Sequence, residues 1–206
     1  MISTELTRIK EATAVLKNGG IIVYPTETVY GIGCDPFNMD AYEKVRGLKK
    51  RLDNKPCLLL ASSLSQVEEC AGELEAIPRR LADVFWPGPL TMVIKPSNQV
   101  PAYLLGVSNG IAFRVTSHPV AASLAREFGH PIISTSANIT GQSPIITYEK
   151  ALSVFGDRAD LVIENSERLQ GTPSTVIDLT SHYPQILREG SIPQSQIEEV
   201  LAYDVS

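Results

Sequence analysis

The sequence is short of the residues that staple or metallate a fold. Cys34, Cys57 and Cys70 are odd in number and form no CxxC pair. That excludes a disulfide framework and a zinc ribbon and suits a reducing compartment. His118, His130 and His182 share no ligand spacing, so no dedicated metal site in the protein is expected. No apolar run approaches the roughly 20 residues of a membrane span. The start, MISTELTRIKEA, is charged and amphipathic, without the apolar heart of a secretion signal. The chain is therefore expected to be soluble, cytoplasmic and away from membranes. Phosphate loops are missing too: there is no GxxxxGKS/T, and Gly31-Ile32-Gly33 lacks the third glycine of GxGxxG. No GxSxG elbow marks a serine nucleophile. Positive charge is scarce, because 18 Lys and Arg face 23 Asp and Glu for a net charge of −5. Any cationic patch must be local.

Apolar residues are plentiful, at 43% of 206, enough for one domain spanning residues 1–206 with a full core. Leu6, Ile9, Ala12 and Leu16 recur at helical spacing, and Gly19-Gly20 supplies a stop. Strands are expected at 21–24, 29–32, 57–61, 90–94, 111–115, 132–134, 161–163, 175–179 and 185–187. Asp40 with Glu43, Ser65 with Glu68 and Ser195 with Glu198 read as capping boxes, and Pro78 as a helix opener. Further helices are expected at 119–128, closed by Gly129, and at 148–155. Strands stand back to back at 21–33 and 175–187, which breaks strict βαβ alternation. The expected class is α/β of the α+β type: a single-domain, twisted mixed β-sheet flanked by helices.

Polar residues gather at strand ends. LKKRLDNKP places Lys49, Lys50, Arg51 and Lys55 just before an apolar strand. By itself that is a solvated helix end whose cations complement the dipole. Arg114 closes IAFR and Arg188 closes QILR, and strand ends border the crevice where α/β sheets bind ligands. Hydroxyls collect in PTET (Thr26, Thr28), in STSANIT (Ser134, Thr135, Ser136, Asn138, Thr140) and in TPST (Thr172, Ser174, Thr175). Each segment alone is ordinary turn chemistry. Together with the arginines they suit anion binding, since guanidinium grips carboxylate or phosphate bidentately and hydroxyls orient without adding charge. PTET replaces the Asn-Gly or Gly-X of a simple hairpin, and Glu27 is the one carboxylate in an unexpected place. Asp178 reads as a turn anchor, His118 as a helix start, and WPGP as packing between a helix and a strand.

YPTETVYGIG, LKKR, FWPGPLT, FRV-x-SHP, STSANITG, PSTVID and LREG, in this order over residues 19–190, resemble the YrdC family of threonylcarbamoyl-AMP synthases. The resemblance implies a YrdC-like fold and a nucleotidyl transfer. L-threonine and bicarbonate give N-carboxythreonine, which attacks the α-phosphate of ATP, yielding threonylcarbamoyl-AMP and pyrophosphate. A separate tRNA threonylcarbamoyl transferase then modifies an adenosine beside the anticodon. It also implies that Thr26, Arg114, Ser136 and Ser174 hold threonine. Lys49, Arg51, Lys55, Asn138, Thr147 and Arg188 would hold ATP, with Mg²⁺ arriving on the triphosphate. Lys55 stands where many members of the family carry asparagine, Leu60 where some carry histidine, and Thr116 where proline is usual. The alternative is a non-catalytic module binding tRNA or other double-stranded RNA through the same cations.

Overall fold

The computed structural model describes residues 2–49, 57–106, 108–138 and 143–202. Among them the order is α1 (Ile2–Lys17), β1 (Ile22–Tyr24), β2 (Gly31–Gly33), α2 (Met39–Lys49), β3 (Leu58–Ala61), α3 (Leu64–Ala71), α4 (Ala76–Phe85) and β4 (Leu90–Ile94). After a 3-10 turn at Ala102–Leu104 come β5 (Ile111–Val115), α5 (Pro119–Phe128), β6 (Ile132–Ile133), β7 (Thr135–Ser136) and α6 (Tyr148–Phe155). The chain continues through β8 (Leu161–Val162), β9 (Thr175–Asp178), β10 (Gln185–Arg188) and α7 (Gln194–Ala202).

The mixed α/β class agrees with the sequence reading, but hydrogen bonding divides the strands into two sheets. One has the order β7-β2-β1-β8, the other β10-β9-β4-β5-β3-β6. The two back-to-back segments are antiparallel pairs, β1 with β2 and β9 with β10. Ser134 joins the sheets: it follows β6, precedes β7, and its N–H donates to Leu58 O.

Three caps lie away from the expected boxes. Asn38 Oδ1, not Asp40, accepts the Ala41 N–H at 3.0 Å, and Ser63, not Ser65, caps α3 through the Gln66 N–H. Ser195 lies inside α7, and the preceding Gln194 N–H goes to Glu189 Oε1. Pro78 is the third residue of α4 rather than its opener. Leu6 is exposed, leaving Ile9, Ala12 and Leu16 to anchor α1. Asp178 Oδ1 accepts both the N–H and the hydroxyl of Thr180 and so anchors its turn. Trp86 donates its ring N–H to Leu90 O and locks the WPGP corner to the start of β4.

Each face of the six-stranded sheet has its own fate. Leu59, Met92, Phe113, Ile133 and Ile177 enter the main core, shared with the four-stranded sheet and α2, α3, α4, α6 and α7. On the other face, Leu60 and Ile132 join a second cluster built with Ile9, Ala12 and Leu16 of α1 and Val120, Ala121, Leu124 and Phe128 of α5. Full burial of such a side chain contributes about 1.5–3 kcal/mol. Beyond these helices, that second face turns polar.

Candidate active site

One register row carries the site. Leu60 pairs with Ile132 on one side and with Arg114 on the other, while Val176 pairs with Thr91 and with Arg188. Continuing the β4–β5 register beyond Met92 and Phe113 puts Thr91 opposite Arg114. Residues in register share a face. A single line thus crosses the sheet from Ile132 and Leu60 through Arg114 and Thr91 to Val176, and a break in register after Ile186 sets Arg188 opposite Val176 at its end. β4 and β5 are buried along their whole length, so Thr91 and Arg114 are polar insertions in otherwise apolar strands.

Arg114 is 3% exposed and faces Glu27, with Nε 3.2 Å from Oε1. The contact is close but misaligned: neither atom makes a hydrogen bond. Glu27 Oε2 accepts the Thr116 hydroxyl at 2.6 Å, and Thr116 Oγ1 in turn accepts the His118 N–H. The Tyr24 hydroxyl nearby is fully buried and also lacks an aligned partner. Burial pushes its pKa up, opposed by Ser134 and by the positive charge of Arg114. Gly31 and Gly33 let this ring lie against β2, since a Cβ on Gly33 would fall 2.7 Å from Tyr24 Cε1.

Thr26 was expected to present its hydroxyl at the cleft, yet it is 1% exposed. Its Oγ1 donates to Val29 O at 2.6 Å and accepts the N–H groups of Thr28 and Val29. These bonds close the PTET turn on itself. Glu27 is the residue that this turn presents to β5.

Ser174 stands at the entry to β9. Its Oγ lies 2.8 Å from Thr91 Oγ1, and Arg188 donates to its carbonyl from Nε and Nη2 and to its hydroxyl at 3.2 Å. Although Arg188 as a whole is exposed, partial desolvation lowers its pKa, and repulsion from Arg114 adds to that shift. Two guanidinium groups from distant sequence are thus held within electrostatic reach of each other. Thr175 Oγ1 accepts the N–H groups of Gly190 and Ile192 and donates to Ile192 O, tying the PST and REG segments together. Their packing admits only glycine at 190, where a Cβ would sit 2.2 Å from Pro173 O.

Lys49, at the end of α2, is buried. Its ammonium donates to Ser136 O, Asn138 O and Asn138 Oδ1 at 2.6–2.8 Å. Ser136 donates its hydroxyl to the same Oδ1 at 2.7 Å. Lys49 therefore shapes the SAN segment from beneath, and Ser136 stays exposed above it.

Other expected residues are placed differently. Arg51 and Lys55 lie outside the described residues, as do Lys50 and Thr140. Thr147 is the N-cap of α6, accepting the Lys150 N–H. Leu60 is fully buried against Ile132 and Tyr24, so apolar packing occupies that position. A separate groove of about 670 Å³ runs between α1, α6 and β8, lined by Arg8, Glu11, Tyr148, Leu152 and Asp160 among others. None of the convergent residues lines it. Sequence reasoning gave no role to Thr91 or Thr116 and left Glu27 unassigned. The available signal for Thr91 was its place as a polar residue within a buried strand.

The chain has informative relatives. The family model for Sua5, YciO and YrdC, described as telomere recombination, matches residues 14–190. A threonylcarbamoyl-AMP synthase of Coxiella burnetii strain RSA 493 is 43% identical over 158 residues, 76% of this chain and 84% of that one. Another, from Vibrio parahaemolyticus, is 36% identical over 187 residues, 90% of this chain and all of that one. Among solved structures, Pyrococcus abyssi Sua5 complexed with L-threonine superposes with a TM-score of 0.88 at 34% identity, covering 94% of this chain and 57% of that one. E. coli YciO gives 0.85 at 30% identity over 91% of each chain. Fold, order of motifs and relatives agree, and the chain belongs to the Sua5/YciO/YrdC family.

Proposed function

We propose that this chain forms threonylcarbamoyl-AMP and pyrophosphate from L-threonine, bicarbonate and ATP. The observation that carries the reading is the pair of guanidinium groups, Arg114 and Arg188, gathered around Thr91 of the same sheet row and the adjoining Ser174 despite their mutual repulsion. Cations held together in this way favour anionic ligands. The relatives supply the identity of those anions, since Sua5 of Pyrococcus abyssi was solved with L-threonine.

The reaction needs placement more than a strong base. The threonine amine joins the carbon of bicarbonate with loss of water, giving a carbamate. A carbamate oxygen then attacks the α-phosphorus, and pyrophosphate leaves with the electron pair of the broken P–O bond. Carboxylate, carbamate and triphosphate repel each other in water. Fixed cations and dipoles lower that barrier by holding them in line. Arg114 takes the threonine carboxylate, while Ser174, backed by Thr91, orients the amino acid. Arg188 and the SAN segment over Lys49 face the nucleotide, with Arg51 and Lys55 as further phosphate ligands. A site that bonds the threonine hydroxyl rejects valine strongly, because its own polar groups would be left unpaired. The donors gathered here are cations and hydroxyls, and Glu27 is engaged by Thr116 and Arg114. They form no oxygen cage for a hard cation, so Mg²⁺ enters on the triphosphate.

The product is an activated acyl adenylate suited to a tRNA threonylcarbamoyl transferase. The three cysteines are free and buried, in keeping with a cytoplasmic setting, and no described helix is long and apolar enough to cross a membrane. The test is incubation with ATP, labelled bicarbonate and threonine. Pyrophosphate and a labelled, threonine-dependent adenylate are expected. Absence of both overturns the synthase reading, and equal product with serine overturns the selectivity.

A further inference from the structure

We propose that Glu27 and Thr116 are positioning residues that set the Arg114 guanidinium for the threonine carboxylate, an inference that rests on the synthase reading above. The PTET turn is rigid because the Thr26 hydroxyl closes it, so Glu27 projects from a fixed base. Thr116 fixes the other end. Its oxygen already accepts the His118 N–H at 3.2 Å, and its single proton goes to Glu27 Oε2 at 2.6 Å. One Glu27 oxygen is therefore pinned, and the other is aimed at Arg114.

The side chains of Arg114 and Glu27 are only 4% and 9% exposed. A guanidinium buried this deeply is strongly disfavoured without a counter-charge, and Glu27 is the carboxylate that supplies one. It approaches through Nε, on the stem side of the fork. The two terminal Nη groups are left to Arg114 for a planar, bidentate grip on a ligand carboxylate. Glu27 Oε1 is enclosed by protein, so its action on substrate runs through Arg114 rather than by contact. Glu27 Oε1, Arg114 Nε and the Tyr24 hydroxyl are three buried atoms without aligned partners in one neighbourhood. Native interiors rarely leave such atoms unsatisfied. Their concentration beside Arg114 marks a constellation that completes its bonding when the carboxylate arrives and draws the guanidinium into line.

The experiment compares parent, Glu27→Gln, Thr116→Val and Thr116→Ser by product formation and by calorimetric titration with L-threonine. Glu27→Gln is expected to raise the KM for threonine about tenfold or more, with the KM for ATP within about twofold of the parent. Thr116→Val should follow in the same direction, about threefold to fivefold, and Thr116→Ser, which keeps the hydroxyl, should restore parental values. Should Glu27→Gln fail to fold, the Val and Ser pair still decides. A threonine KM equal to or below the parent's in Glu27→Gln, or in Thr116→Val, overturns the proposal. So does an equal rise for threonine and ATP, the mark of a merely structural role. A parent that binds threonine but makes no adenylate removes the synthase reading and leaves the titrations to test Glu27. A parent that does not bind threonine ends both.

Discussion

The two ends of one sheet row have opposite characters. At the β6–β3 end, Ile132 and Leu60 are apolar and sealed under α1 and α5. One strand further on, the next side chain on the same face is Arg114, and beyond it come Thr91 and Arg188. The backbone ladder continues across the change. What differs is the side-chain sequence, and with it what can cover the face. Helices pack where the row offers hydrocarbon; where it offers guanidinium and hydroxyl groups, the PTET turn and the PST and REG segments gather instead. The closed end makes the open end rigid, which is how a scaffold holds charges close together against repulsion.

The comparison can be broken most severely at its boundary. Arg114→Leu extends the apolar end into the site. It is expected to lower kcat/KM for threonine about 100-fold or more. It should also destabilise the fold by about 3–5 kcal/mol, because Glu27 is left buried and unpaired. The double variant Glu27→Leu/Arg114→Leu should recover most of that stability in urea unfolding while product formation stays lost, separating function from folding. Gly190→Ala comes next, since its Cβ meets the Pro173 carbonyl oxygen and Ser174 backbone. A loss of about 2–3 kcal/mol and roughly tenfold in pyrophosphate release is expected. Lys49→Met removes three charge-assisted hydrogen bonds to the SAN segment. That should cost about 1–3 kcal/mol and raise the KM for ATP about fivefold. Leu124→Ala sharpens the contrast from the closed end. It should destabilise by about 2–5 kcal/mol, read from the unfolding midpoint, yet leave kcat/KM per folded molecule within about twofold.

Much of this was legible in the residues. β4, β5, α5 and α6 fall on the expected boundaries, because each is an uninterrupted pattern with a clear stop such as Gly129, whose positive φ closes α5. Caps slipped by two residues where several candidates crowd together, as in SSLS before α3. Division into two sheets was hidden because Ser134 pairs through its backbone, which leaves no side-chain signature. Within the site, Arg114, Ser174 and Arg188 were flagged by their places at strand ends. Thr91 gained meaning only from register, and Glu27 and Thr116 only from the contact between the PTET turn and the end of β5: which residue stands beside which is a tertiary fact. Thr26 shows the converse, a hydroxyl singled out from its motif that is engaged in its own turn.

The most direct test is a crystal structure of the chain with L-threonine and a non-hydrolysable ATP analogue. The threonine carboxylate is expected on Arg114 beside Ser174, with the phosphates toward Arg188 and the SAN segment. Ligands seated in the groove between α1, α6 and β8, with the Arg114 row bare, would contradict it.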